Sequence, residues 1–431
     1  MNRLILVSLF CISIFANGQD NSWSLQRCLS VAMENNIELK IKQLEIKKTR
    51  KSNTNLLLDV LPTVSLTSNH SYNFGSTIDP ETNNRVSSDL QFDSFNLNAS
   101  MNILNFSNLA TSQKEKINIE LAKADKEVVE YDYKMLLLEK YFDALFAQEL
   151  LKIQKKQLEN SAFNLHRIEK ETQIGSKPKS DLYDMQLGFS QDEKRLKEAE
   201  QSFEIQKLQL FQLMYFEPEN LAEIVLQEYL STQNQTVKNN FYNPKIAYAK
   251  IAYESSRKDI AILRSANLPS VSGFYSLNSF YTAPINQPGI EVTPFHTQIG
   301  NNKNHAIGLQ LNVPVFNGFR NKKQIIASKI ESQQTKLISE QEQLKIEQQI
   351  KLETTKKEQF EQLSQNLQST LRYAQLSFTT TQAKFSNGTI DAVIYTSVKN
   401  QLLTSEYDLL KNVLQLQYMA LKIRLLQSEG F

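Results

Sequence analysis

Site chemistry needs side chains of the right type within reach of one another, and the four histidines, His70, His166, His296 and His305, are scattered over 431 residues. Each falls in a different predicted element, so no spacing supplies the converging ligands of a metal site. Cys11 sits in an apolar leader, which leaves Cys28 as the sole cysteine of the mature chain, a packing residue with no disulfide partner. The sequence contains no phosphate-binding glycine loop and no nucleophile elbow, so it points to no catalytic residue, no cofactor and no enzyme. The remaining clusters of polar groups are two turns between helical segments. One runs through Gly175, Lys177, Pro178, Lys179, Ser180 and Asp181 with Asp184 just beyond, the other through Gly388 and Asp391 with Tyr395 just beyond. Gly175 is expected to stop one helix and Ser180 to cap the next. On the simplest reading the turn charges are caps and solvated groups.

The elements around these turns come in two copies. Leu61-Pro62-Thr63-Val64-Ser65 reappears as Leu268-Pro269-Ser270-Val271-Ser272, and Met101-Asn102-Ile103-Leu104-Asn105-Phe106 as Leu311-Asn312-Val313-Pro314-Val315-Phe316. The two offsets differ by about three residues, as duplication with one small loop change leaves them. The boundaries expected are 1–18 for a leader, 19–240 for the first repeat and 241–431 for the second.

Each repeat carries two strands, at about 62–76 and 90–104, then at 269–281 and 305–316. Val64, Leu66, Ser68, His70 and Tyr72 alternate with small polar residues, as do Phe95, Leu97, Ala99, Met101 and Ile103. In the second copy Val271, Gly273, Tyr275 and Leu277, then Ile307, Leu309, Leu311 and Val313, repeat the pattern, with Phe274 a lapse on the polar side. Alternate side chains point to opposite faces, so such a sheet separates an apolar face from an uncharged polar one. Asn69, Asn73, Asn96, Asn98, Asn102, Gln310 and Asn312 fall on the polar side, the candidate lumen. Tyr72, Phe74, Phe92, Phe95, Tyr275, Phe280 and Tyr281 lie toward the loop ends, where an interfacial aromatic girdle would sit. The loops 76–89 and 282–304 read as long and polar.

These strand lengths suit a tilted crossing of a bilayer, which takes ~9–11 residues. Four strands cannot close a barrel in lipid, where open edges are not tolerated. Two copies would give eight strands with a filled interior, and three would give twelve with a water-filled lumen. A homotrimer is the economical closure.

Long helices follow each strand pair, at about 108–171 and 180–216, then 319–385 and 390–427. The first would span on the order of 95 Å. Leu121, Val128, Met135 and Phe142 recur every seven residues, as do Ala124, Tyr131, Leu138 and Leu145, a coiled-coil seam. A seam at Phe360, Leu363, Leu367, Leu371, Ala374, Phe378 and Phe385 marks the third. Narrow apolar stripes between broad polar surfaces suit helices wetted on two sides. Helices at about 24–59 and 244–266 each lead into a Leu-Pro strand start, and 217–243 reads as a connecting segment.

The start, Met1-Asn2-Arg3, then an apolar run over 4–15 and Ala16-Asn17-Gly18, has the form of a secretory leader cut after Gly18. Phe10 before Cys11 argues against a lipoprotein cleavage site. Net charge is +2, from 48 basic and 46 acidic residues, interspersed and without a basic tract, which speaks against nucleic acid as a partner.

Trp23-Ser24-Leu25 with Cys28 through Asn36, the two Leu-Pro strand starts, Pro314-Val315-Phe316-Asn317-Gly318 before the third long helix, and the Gly388 turn occur here in one order. In these the chain resembles the TolC family of outer membrane efflux and secretion channels, over nearly the whole mature length. The resemblance implies an α+β membrane protein: a homotrimer with a twelve-stranded outer-membrane β-barrel continuous with an α-barrel of long antiparallel coiled-coil helices in the periplasm. It implies a passive exit duct of a Gram-negative outer membrane, for tripartite efflux or type I secretion. A periplasmic membrane-fusion adaptor and an inner-membrane pump of the RND or ABC type would be its partners. Relatives often place acidic residues just after the tip glycine, narrowing the pore. Asp391 stands there, but Ala392-Val393-Ile394-Tyr395 adds no second carboxylate. Gly175, Lys177, Lys179, Asp181, Asp184, Gly388, Asp391 and Tyr395 are thus the candidate periplasmic tip or gate. The alternative reading is a secreted or periplasmic coiled-coil scaffold, soluble without detergent.

Overall fold

The computed structural model describes residues 21–53, 58, 60–78, 82–87, 89–228, 242–285 and 291–427. The expected leader, 1–18, and part of the connecting segment lie outside the described residues. The chain divides into two compact units. One comprises 1–41, 127–244 and 344–431, the other 42–126 and 245–343.

In chain order the elements are β1 (Ser22–Trp23), α1 (Leu25–Asn35), α2 (Ile37–Ser52), β2 (Thr63–Asn73), β3 (Ser76–Ile78), β4 (Arg85–Ser87), β5 (Leu90–Leu104), α3 (Phe106–Gln173) and α4 (Lys179–Leu213). After β6 (Val225–Leu226) come α5 (Pro244–Ser265), β7 (Ser270–Pro284), α6 (Phe295–Asn301), β8 (Asn304–Asn312), α7 (Arg320–Ser386) and α8 (Ala392–Leu426). The order helix, strand, strand, long helix, long helix thus occurs twice.

In the first unit the core gathers Trp23, Leu25, Cys28 and Ala32 against Leu137, Leu138, Tyr141 and Leu145 of α3, with Leu210 and Phe211 of α4 and Leu414, Leu421 and Leu425 of α8. The second seven-residue seam of α3 is its buried line, with Tyr131, Leu138 and Leu145 at 7%, 0% and 0% exposure. The Cys28 thiol is fully buried, and burial pushes its pKa up to about 12, which makes it unreactive. Strand β1 pairs with β6 in parallel. Tyr141 Oη donates to the carbonyls of Trp23 and Gln227, at 3.0 and 2.5 Å, and holds both strands from below. Gln148 does the same for β6, accepting from Leu226 N at 2.7 Å and donating to Leu226 O at 2.9 Å.

Four expectations about the elements need correction. The opening helix breaks at Asn36, whose N–H bonds Ala32 O while its Oδ1 accepts from Leu39 N at 2.8 Å. One asparagine therefore ends α1 and caps α2. The last strand stops at Asn312 rather than 316, since Pro314 has no N–H for the ladder. The loop 282–304 is not featureless: β7 extends to Pro284 and α6 folds back on it, with Gln298 bonding both N and O of Thr282 at 2.9 Å. Leu363, assigned to the α7 seam, is 45% exposed.

In the second unit β2, β5, β7 and β8 form one antiparallel sheet in that order. Among the described residues no helix is long and apolar enough to cross a membrane.

Candidate functional site

Two places carry the groups singled out by the sequence, and each is built within one unit. The first is the polar face of the sheet. Its rungs are Thr67–Asn96–Asn278–Asn304, Ser65–Asn98–Ser276–Ala306 and Asn102–Ser272–Gln310, with Ser270 opposite Asn312. Asn69 lies opposite Ser94, and Asn73 opposite Leu90. Parity along the ladders puts all seven lumen candidates on this one face. It is uncharged, so it offers water hydrogen bonds without selecting for ion sign.

The other face sets Val64–Ala99–Tyr275–Ile307, Leu66–Leu97–Leu277 and Met101–Gly273–Leu309 in rungs. Its outer residues are bare: Leu66 is 71%, Ile307 85% and Leu309 73% exposed. Toward the loop end a carboxylate intrudes on this face, and Asp93 is met there by His70 Nδ1 and by Gln91 Nε2 at 2.8 Å.

The register corrects two members of the expected girdle. Phe92 lies opposite Ser71 and Phe280 opposite Ser94, so both rings stand on the polar face, stacked at 5.9 Å. Phe274 is also on the polar face, and its ring lies across Gly308, where an added Cβ would meet Phe274 Cζ at 2.8 Å. Gly308 is therefore required by close approach of a ring rather than by its backbone angles.

The second place is the pair of turns. Gly175 and Gly388 both take left-handed φ, +77° and +72°, and stop α3 and α7. The two turns touch, since a Cβ at Gly388 would lie 3.8 Å from Lys177 Nζ. Asp391 caps α8 through Ile394 N at 2.9 Å. The expected cap at Ser180 is displaced: Pro178 stands at the N-cap of α4 without a side-chain bond, because its fixed φ already opens the helix. Asp181 is buried beside Lys177, at 3.6 Å. Lys179 is exposed and Asp184 half-buried.

Beneath the turns Ile168, Met185, Phe385, Ala392 and Tyr395 form a small core. Phe385 stacks on Tyr395 with centroids 4.6 Å apart, and the Arg167 guanidinium lies 4.9 Å from the Phe385 ring. The Tyr395 hydroxyl accepts from Asn164 Nδ2 at 2.9 Å, and burial pushes its pKa up to about 12. Tyr395, a candidate tip or gate residue in the sequence, is thus an interior residue of its own chain.

One turn further along α8 lies a group the sequence did not flag. Lys399 Nζ donates to Asp192 Oδ2 at 2.6 Å and to Ser161 Oγ at 3.1 Å, with all three residues buried. Arg195 Nη1 adds a longer contact to Asp192, 3.4 Å, and bonds Asn400 at 3.1 Å. A signal was present: Met185, Asp192 and Ala199 are seven apart, which places a charge on the apolar seam of α4. Among the described residues no group of three or more histidine, cysteine or acidic side chains could hold a metal ion.

A polar-lined antiparallel sheet bare on its apolar face, with paired long helices after each strand pair, is the fold seen in outer-membrane channels of known structure. Residues 231–427 match the family model described as outer membrane efflux protein. The second half of the chain is therefore similar to the outer membrane efflux proteins. Among solved structures it is similar to the outer membrane channel CmeC of Campylobacter jejuni, at 15% identity over 96% of this chain and 86% of that one, with a TM-score of 0.77. For the outer membrane protein VceC of Vibrio cholerae the values are 14%, 94%, 96% and 0.78. For the open state of the MtrE channel of Neisseria gonorrhoeae they are 15%, 94%, 89% and 0.71. No curated protein matches the sequence.

Proposed function

We propose that the chain is the outer-membrane exit duct of an efflux or secretion system, a passive channel that three copies complete. The observation that carries this is the sheet: one bare apolar face, one uncharged polar face, and two edge strands, β2 and β8, each paired on one side only among the described residues. In lipid such edges must be paired, and copies of the same chain supply the complementary edge. Three copies give twelve strands and an aqueous lumen lined by Asn69, Asn73, Asn96, Asn98, Asn102, Gln310 and Asn312.

The helices fit the same reading. Leu337, Leu344 and Leu352 of α7 are exposed at 63%, 55% and 53%, surface that neighbouring copies would cover in an α-barrel. Most of the chain then lies in the periplasm of a Gram-negative cell. The turns at Gly175 and Gly388, with Lys177, Asp181 and Asp391, form the end that meets a membrane-fusion adaptor and, through it, an inner-membrane pump that supplies the energy. The chain's own part is to bind nothing tightly and to keep a wet path open.

The test is single-channel conductance of detergent-extracted protein in a planar bilayer, with its mass from light scattering. Discrete conductance from a trimer supports the duct. Protein that is soluble without detergent and forms no channel leaves the coiled-coil scaffold as the better account.

A further inference from the structure

We propose that the segment joining β8 to α7 is a binding site for an anionic phospholipid of the leaflet that faces the periplasm; this rests on the outer-membrane reading above. The lipid-side alternation of β8 does not stop with the strand. Ile307, Leu309 and Leu311 are followed by Val313 at 50%, Val315 at 92% and Phe316 at 75% exposure, so the bare apolar strip continues past the last ladder bond. Gly318 and Phe319 then take left-handed backbone angles, +63° and +58°, and turn the chain into α7. Phe319, 60% exposed, meets Phe316 edge-on with centroids 5.4 Å apart.

A cavity of about 250 Å³ opens here, walled by Pro314, Val315, Phe316, Phe319 and Ile325, with Lys322 at its rim. Its floor is fixed, because Asn321 Nδ2 bonds Leu263 O at 2.9 Å and Asn267 Oδ1 at 2.6 Å. Arg320, Lys322 and Lys323 are all exposed beside it. Among the described residues none of the three forms an ion pair, and Lys322 Nζ touches only the Phe319 ring, at 5.9 Å.

The corresponding junction of the first repeat needs no such charge. There Asn105 Oδ1 caps α3 through Ser107 N at 2.9 Å, and Ala110, Ser112 and Gln113, which align with Arg320, Lys322 and Lys323, carry no cation. Three unpaired cations next to exposed rings, where a lipid-facing strip ends, match a negative headgroup above glycerol and acyl chain. The rings lie among the upper acyl carbons, and the cations reach the phosphate.

The experiment is electron spin resonance of the full-length protein in phosphatidylcholine vesicles carrying spin-labelled phosphatidylglycerol or spin-labelled phosphatidylcholine as probe. Wild type should immobilise the anionic probe preferentially at low salt. Each cation near an anionic surface contributes about a fivefold preference, so Arg320→Gln with Lys322→Gln and Lys323→Gln should abolish the selection, while conductance and melting temperature stay as in wild type. The pair Phe316→Ser and Phe319→Ser should weaken retention of both probes. Equal immobilisation of the two probes by wild type, or selection unchanged in the triple variant, overturns the proposal, as does full competition by inorganic phosphate at equal concentration, which would mark a free-anion site. Failure to enter vesicles, with no immobilised lipid of either kind, would instead overturn the outer-membrane reading itself.

Discussion

The two units of the chain use their apolar residues in opposite ways. In the helical unit Leu138, Tyr141, Leu145, Leu210 and Leu426 are fully buried within a single chain. In the sheet unit Leu66, Ile307 and Leu309 are among the most exposed large apolar side chains of the described residues. The difference lies in what remains to be supplied. The core against β1 and β6 is filled by residues of one chain, whereas the sheet presents a hydrophobic wall and two edges that, on the proposed reading, lipid and further copies cover.

The comparison breaks most sharply at the buried ion pair. Lys399→Ala leaves the Asp192 carboxylate buried with only Ser161 and a longer Arg195 contact, which should cost about 3–5 kcal/mol. The melting temperature in detergent should fall steeply, and the double replacement Lys399→Met with Asp192→Leu should recover most of it. A single variant that melts like wild type would show that water reaches this pair.

On the sheet, Leu309→Arg should behave the other way. Detergent-solubilised protein keeps its helical circular dichroism, while insertion into vesicles suffers by about 2–4 kcal/mol if the residue sits near the bilayer midplane. Asn98→Asp, on the opposite face, should insert normally and shift the conductance toward cations. Equal insertion by both variants would remove the distinction between the faces.

At Gly308 the effect should be smaller. Gly308→Ala pushes a methyl into the Phe274 ring and should cost about 1–3 kcal/mol, unless the ring, 40% exposed, swings aside. Phe274→Ser in the same chain should abolish the loss.

High pH gives the mildest separation. The folded Tyr395, Tyr418 and Tyr242 hydroxyls have pKa values raised from 10.0 to about 12, each chiefly by burial. A raised folded value means stability that is whole below pH 10 and lost as pH climbs toward 12. All three lie in the helical unit, so its circular dichroism should fade in that window, and Tyr395→Phe should lessen the loss. A midpoint unchanged between pH 10 and 12 would mean the phenols are wetter than their packing indicates.

Much of this division was legible in the residues because period two and period seven each announce themselves over many positions. The seven polar lumen residues fall on one face because each strand keeps strict parity, and the Ala124–Tyr131–Leu138–Leu145 line is buried because heptads outlast local noise. What escaped was set by single side chains acting across chain distance. Asn36 breaks a helix with one amide, Gln298 folds α6 onto β7 with another, and Phe92, in step with Asn96 and Asn98, stands on the polar face despite its aromatic character. The heptad places Asp192 on the seam of α4 without naming its partner, and its meeting with Lys399 depends on α8 docking against α3 and α4.

The central seam of the sheet also sets an order of events in time. Strands β5 and β7 pair from Leu90 with Pro284 down to Met101 with Gly273, so residues far apart along the chain must find each other before either hairpin gains a neighbour. Loops of that length close slowly, and helices such as α3 and α4 form long before them. A chain emerging in order thus passes through a stage in which Val64, Leu66 and Leu97 of the first hairpin have neither lipid nor β7 beside them. Strand-swapped aggregates are the expected fate of chains whose second hairpin comes late.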